Sequence, residues 1–201
     1  MALPPFAVTF DYRCPFARTI HEHLVLALQS GADFEVSFLP FSLDQAHVEP
    51  GGQDAWEDPA LVPSMTPTLF ALAVRDTQPG HFLAVHLALF TARHDHQLDL
   101  KDAKAVAEVV DAAGADGQAA EAEVATGRPL ATLAEEHKRL VKQHKVFGVP
   151  TFIVADSAVF IRLTERPGAD AAIATATIDR IVDTITGWPS LNELKHTKIP
   201  R

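Results

Sequence analysis

Short apolar runs and stripes of helical period alternate along this chain. Residues 6–10 (Phe-Ala-Val-Thr-Phe) form a β-rich run, and 34–39 alternates apolar with polar side chains as a strand does. Between them Phe16, Ala17, Ile20, Leu24 and Leu28 recur at helical spacing, which predicts a helix over 15–30 stopped by Gly31. The segment 40–47 leaves the second strand, so the first fifty residues read as a β-α-β unit with a right-handed crossover. Residues 49–67 read as a loop, because Pro50, Gly51, Gly52, Pro59, Pro63 and Pro67 all break regular structure. Helices are then predicted over 69–75, 79–92, 102–113, 118–125 and 129–144. The last of these carries Leu130, Leu133, His137, Leu140, Val141 and His144. Residues 149–154 read as a strand, and 159–163 as its antiparallel neighbour across Ala155-Asp-Ser157. A closing helix over 171–186 turns Ile173, Ile178, Ile181, Val182 and Ile185 inward, and 191–201 is a tail of mixed character.

Composition narrows the field. Hydrophobic residues make up 47% of the 201 and charged residues 21%, enough apolar surface for a packed core in one large domain or a domain with an insertion. The formal net charge of −9 argues against a nucleic-acid partner, which would call for a basic face. No uncharged apolar run reaches the roughly 18 residues of a membrane span, so no membrane insertion is expected. The first residues, Met-Ala-Leu-Pro-Pro-Phe, carry no basic segment, and no signal peptide is expected. Alanine enrichment over 103–125 fits a GC-rich bacterial genome, and no internal repeat is visible.

The chain has one cysteine, Cys14, so no internal disulfide can form, and a reducing cytoplasm is the expected setting. Pro15 suits the first turn of a helix, which puts Cys14 at the helix N-terminus. Free N–H groups and the positive end of the helix dipole stabilise a thiolate there, with Arg13 and Arg18 adding charge. Free cysteines are also common small core residues. These residues alone leave both readings open. Far downstream, Val146-Phe-Gly-Val-Pro-Thr-Phe-Ile-Val154 sets a proline directly before a strand.

Phe10-Asp-Tyr-Arg-Cys-Pro-Phe-Ala17 and Gly148-Val-Pro-Thr-Phe152, separated by the helix-rich stretch 18–147, resemble the DsbA-like branch of the thioredoxin superfamily. The likeness extends to FrnE-like proteins, 2-hydroxychromene-2-carboxylate isomerases and kappa-class glutathione transferases. It implies an α/β thioredoxin-like fold with an inserted all-helical domain. The thioredoxin-like part would be 1–48 and 146–201, and the helical insertion 49–145. It implies that Cys14 is the attacking residue and Pro150 the cis-proline facing it. Val149 would offer backbone groups to an extended ligand, and Phe16 would sit where the family governs the cysteine pKa. The usual second cysteine of C-x-x-C is Ala17 here. That favours monothiol chemistry, with a small thiol, glutathione or mycothiol, resolving a mixed disulfide with a disulfide or thiol-conjugate substrate. No tightly bound cofactor is implied. The alternatives are a glutathione-dependent isomerase or transferase, and a binding protein that has lost the chemistry.

Pro15, Phe16 and Arg18 complete the candidate ligand-binding set, together with Tyr12, the only tyrosine, whose hydroxyl either bonds a ligand or packs beside the turn. The Pro40-Phe-Ser-Leu segment, Trp56 and Met65 are candidates to line the cleft. His94-Asp-His96 has the letters of a metal site but no third ligand, and reads as an exposed helix end, so no metal is expected. His21 lies two helical turns past Cys14, too far along the helix for proton transfer, and His137 and His144 read as packing residues. No Ser-His-Asp triad, P-loop or G-x-G-x-x-G pattern is present, which argues against NAD(P) and ATP. The apolar helices of the insertion and Trp188 in the tail are candidate homodimer surfaces.

Overall fold

Strand β1 (Phe6–Phe10) is apolar on both faces because it lies inside the sheet. The computed structural model describes residues 3–198 and holds a four-stranded sheet in the order β2-β1-β3-β4. Strand β2 (Val36–Pro40) runs parallel to β1, β3 (Thr151–Val154) antiparallel to it, and β4 (Ser157–Phe160) antiparallel to β3 at the edge. Helix α1 (Pro15–Gln29) joins the two parallel strands. It ends where the chain turns left-handed at Gly31 (φ 90°), and the amide of Ala32 bonds back to the carbonyl of Ala27 at 3.0 Å.

A short helix α2 (Leu43–Ala46) follows β2, with Ser42 capping its first turn through the amide of Gln45. The helical region then comprises α3 (Thr66–Thr77), α4 (Phe82–His94), α5 (Ala103–Ala112), α6 (Gly117–Ala125) and α7 (Arg128–His144), and α8 (Ala171–Gly187) closes the chain against α1. Asp102, Asp116 and Asp170 cap α5, α6 and α8 with their carboxylates. Between α5 and α6 the backbones come so close that a β-carbon on Gly117 would lie 2.4 Å from the Ala107 carbonyl oxygen.

Four sequence expectations change. The loop over 49–67 ends early, because Pro63 opens a 3₁₀ turn (Val62–Met65) and Pro67 lies in the first turn of α3. A proline there loses no intrahelical bond. Strand β4 starts at Ser157 and stops at Phe160, since the left-handed Ala155 (φ 50°) makes the hairpin turn shorter than expected. Ile173 is 54% exposed and Val141 40%, so neither belongs to the buried face of its helix. Trp56 and Met65 do not line the cleft; with Leu69, Leu72 and Leu133 they form a small core of their own. Phe41 and Ser42 are likewise buried, and the His137 ring lies 4.2 Å from that of Phe41.

The main core is continuous. It runs from Val8 and Phe10 of β1 through Ile20 and Leu24 of α1 into Phe70, Phe82, Leu89 and Phe90 of the helical region. No helix among the described residues is long and apolar enough to cross a membrane.

Candidate active site

Strand β1 delivers the chain to a turn in which the amide of Cys14 bonds the carbonyl of Asp11 at 3.0 Å. Cys14 then becomes the N-cap of α1, and its sulfur accepts the amide of Ala17 at 3.4 Å. The thiol donates to the carbonyl of Val149 at 3.3 Å, across 135 residues of sequence. The Val149–Pro150 peptide bond is cis. One bond fixes that loop against β1, the amide of Thr151 donating to Thr9 Oγ1 at 2.8 Å, and one braces it internally, Thr151 Oγ1 donating to the carbonyl of Gly148 at 2.7 Å. Thr9 and Thr151 thus hold the Val149 carbonyl over the sulfur. Cys14 keeps 9% of its surface open.

The expectation of a lowered thiol pKa is corrected. Burial pushes the Cys14 thiol above its ordinary value, and it outweighs the amides of Ala17 and Phe16 at the helix N-terminus. Nearby Asp11 acts in the same direction as burial, and Arg162 opposes it. The two arginines next to the cysteine in sequence are already engaged. Arg13 bonds Asp11 at 2.9 Å and Asp44 at 2.6 Å. Arg18 is buried and paired with Glu22 at 2.8 Å and with Asp95. The cation that acts on the thiol is Arg162, just past β4, whose guanidinium stacks 5.3 Å from the Phe16 ring and 5.4 Å from the Phe160 ring. Arg162→Ala should therefore push the thiol up further and slow alkylation at neutral pH by roughly two- to fivefold, the worth of a partly screened charge. Rates of iodoacetamide labelling across pH check this; an unshifted profile would mean that the guanidinium does not act on the sulfur.

Tyr12 points into the core. Its ring is fully buried, and its hydroxyl lies 2.7 Å from Nδ1 of His86. The line continues from His86 Nε2 to His21 Nδ1 at 2.9 Å and from His21 Nε2 to the carbonyl of Thr9 at 3.2 Å. A carbonyl only accepts, so His21 carries its proton on Nε2 and accepts on Nδ1. His86 then donates from Nε2 and accepts the Tyr12 hydroxyl on Nδ1. Both rings are neutral: burial lowers His21 to about 4 and His86 well below its ordinary value. His94 and Asp95 are more than an exposed helix end. His94 Nε2 donates to the Tyr12 carbonyl at 2.9 Å, and Asp95 pairs with Arg18, so the end of α4 clamps the cysteine turn. Among the described residues no group of three His, Cys, Asp or Glu side chains is arranged to hold a metal. Beside this clamp lies a shallow depression of about 520 Å³ lined by Arg13, Pro15, Arg93, His94 and Gln97.

The sequence matches the DSBA-like thioredoxin domain over residues 7–170. The chain belongs to this family. Among solved structures, the cytosolic disulfide reductase DsbM of Pseudomonas aeruginosa with GSH superposes with a TM-score of 0.60 at 15% identity, covering 89% of this chain and 98% of that one. A 2-hydroxychromene-2-carboxylate isomerase superposes at 0.61 and 15% identity, covering 90% and 98%. The oxidoreductase NmDsbA1 of Neisseria meningitidis gives 0.59 at 17% identity, covering 95% and 88%. At such identities the shared feature is the fold. No match was found among curated protein sequences.

Against the family's C-x-x-C pattern, this DSBA-like chain has a buried alanine at position 17, whose amide caps the sulfur instead of a second thiol resolving it. Sequence reasoning missed Arg162, Thr151 and His86. Only His86 left a signal, a polar ring on the apolar stripe of Phe82, Leu89 and Phe90.

Proposed function

We propose that the protein is a monothiol reductase of the DSBA-like family. The Cys14 thiolate attacks one sulfur of a disulfide R–S–S–R. A Cys14–S–S–R bond forms, and RS⁻ leaves with the electron pair. A second small thiolate then attacks the R sulfur of that adduct, forms a new disulfide and returns the Cys14 thiolate. The observation that carries this reading is the Cys14 thiol donating to the Val149 carbonyl at 3.3 Å with Ala17 in place of a second sulfur. Once the sulfur is in a mixed disulfide, that carbonyl loses its donor and is open to an N–H of the bound thiol. The raised thiol also supports the reducing direction. Family oxidants owe their strength to a stabilised thiolate, whereas a thiol lifted by burial makes a weaker oxidant, with a smaller thiolate fraction at neutral pH but a more nucleophilic sulfur once deprotonated. The co-substrate is a low-molecular-weight thiol, glutathione or mycothiol, so the setting is a reducing one such as the cytoplasm.

A second reading draws on the same protonated sulfur. In a glutathione-dependent isomerase the Cys14 S–H would donate to the sulfur of bound glutathione, with no net thiol consumed.

The test is intact-mass analysis after incubation with oxidised glutathione and, separately, with the disulfide of mycothiol. One adduct per chain, on Cys14, removed by excess free thiol and missing in Cys14→Ser, is the expected result. No adduct with either disulfide would sink the reductase reading.

A further inference from the structure

The protein has a formal net charge of −9, and most of its buried and half-buried cations are already paired. Arg13, Arg18 and Arg75 form salt bridges, as do the exposed Arg128 and Arg166. Among the described residues Arg93 forms none, and it is exposed at the rim of the depression beside the cysteine turn. Pro15, the residue after Cys14, lines it as well. Arg13 lines it too, but with its guanidinium held by Asp11 and Asp44. Arg93 is therefore the free charge of the site.

Gln97 is the second donor. It holds a left-handed backbone (φ 53°), a conformation in which glycine or asparagine is the usual choice after a helix, and it follows α4 where the amide of Leu98 bonds the carbonyl of Ala92 at 2.9 Å. Arg93 and Gln97 both line the depression, and a guanidinium beside an amide matches the two oxygens of a carboxylate.

We propose that the depression lined by Arg93 and Gln97 binds a carboxylate of the molecule that forms a disulfide with Cys14, so that the site selects acidic disulfides over neutral ones. This inference rests on the monothiol reading and adds the substrate's charge to it. Pro15 follows Cys14 directly, so the depression adjoins the residue that carries the sulfur, within the span of a substrate whose acid group lies some bonds from its reacting sulfur. Among small thiols, glutathione carries carboxylates and the sugar thiol mycothiol does not, so the subsite favours glutathione.

The single cysteine makes the test clean, because a disulfide reagent reads Cys14 alone. The rate with dithiobis-nitrobenzoate, a dianion, is divided by the rate with neutral dithiodipyridine. In each reaction the Cys14 thiolate attacks a reagent sulfur, and the aryl thiolate leaves. Arg93→Gln is expected to lower that ratio by about fivefold, Arg93→Lys to retain most of it, and added salt to lower the wild-type ratio. A ratio unchanged in Arg93→Gln overturns the proposal. If neither reagent labels Cys14, the monothiol reading fails, and the subsite is then judged by calorimetric titration with S-methylglutathione, which cannot react. Binding about fivefold weaker in Arg93→Gln supports the subsite; equal binding, or none to the wild type, overturns it.

Discussion

Acidification from neutrality to pH 4 is expected to strip roughly 3 kcal/mol of stability for each of two buried histidines, His21 and His137, since one pKa unit is worth about 1.4 kcal/mol. Both rings are neutral in the folded protein because burial lowers them from 6.5 to about 4. In the unfolded chain they take up a proton below 6.5. The stability they contribute is complete above that pH, declines as the pH falls from 6.5 towards 4, and reaches its floor once the folded rings also protonate. His86 acts in the same direction. The geometry agrees: His21 Nδ1 accepts from His86, and His137 Nδ1 accepts the amide of Ser42 at 3.2 Å, so a proton on either atom breaks a bond. The carboxylates act in a lower window, because Asp95 beside Arg18 and Asp54 beside Lys138 hold their charge below the ordinary range. For a domain of ordinary stability, about 5–15 kcal/mol, the loss is a large share of the whole. Urea midpoints measured from pH 7 downward should start to fall near 6.5. Midpoints that stay flat to about pH 5 would mean that the rings are not held neutral by the fold.

Gly117→Ala is the second large effect, and its sign is opposite to the usual one. Alanine in a helix is ordinarily about 1 kcal/mol better than glycine. Here the new β-carbon would meet the Ala107 carbonyl oxygen at 2.4 Å and Asp111 Oδ1 at 2.9 Å. A backbone carbonyl inside a helix cannot yield by that much, so α5 and α6 must separate. The same residue donates its amide to Asp111 Oδ1 at 2.7 Å, a bond lost in the shift. The expected cost is about 3 kcal/mol, the upper end of overpacking effects. In a chain of this size that lowers the melting temperature by roughly 6–12 °C. Gly187→Ala, with nothing within 4 Å of the added carbon, serves as the control that should not lose stability. Equal melting temperatures for the two variants would show that the α5–α6 contact is not as tight as described.

Much of the fold was legible because its signals are local. The alternation in 34–39, the stripe of Ile20, Leu24 and Leu28, and the aspartates before α5, α6 and α8 each act on their own few residues. Where the reading failed, one letter had two meanings. Pro63 and Pro67 look like breakers, yet each sits in a first turn, where the same missing N–H does no harm. Ile173 has the composition of a buried position, but its neighbour Ala174 takes the inward place. The candidate site divides in the same way. Cys14, Val149 and Pro150 could be paired through the family resemblance. Arg18 and Tyr12 stand within four residues of the cysteine in sequence but are engaged elsewhere, because their partners, Asp95 and His86, come from α4 and the turn after it. Arg93 and Arg162 carry no motif at all. Only a folded chain reveals that Arg162 acts on the sulfur and that Arg93 lines the depression beside the cysteine turn. The direction of the thiol shift was out of reach for the same reason, since solvent exclusion is set by the whole assembly and not by the turn that carries the cysteine.

Greasy surfaces can slide over one another at little cost, whereas hydrogen bonds hold only at one angle and one offset. The line from Tyr12 through His86 to His21 crosses the oily contact between α1 and α4, so it acts as an alignment pin. With it in place, the seat of α4 over the cysteine turn depends on three rings and not on the lengths of the connecting loops. A change in the length of those loops would then leave the mouth above the sulfur in shape.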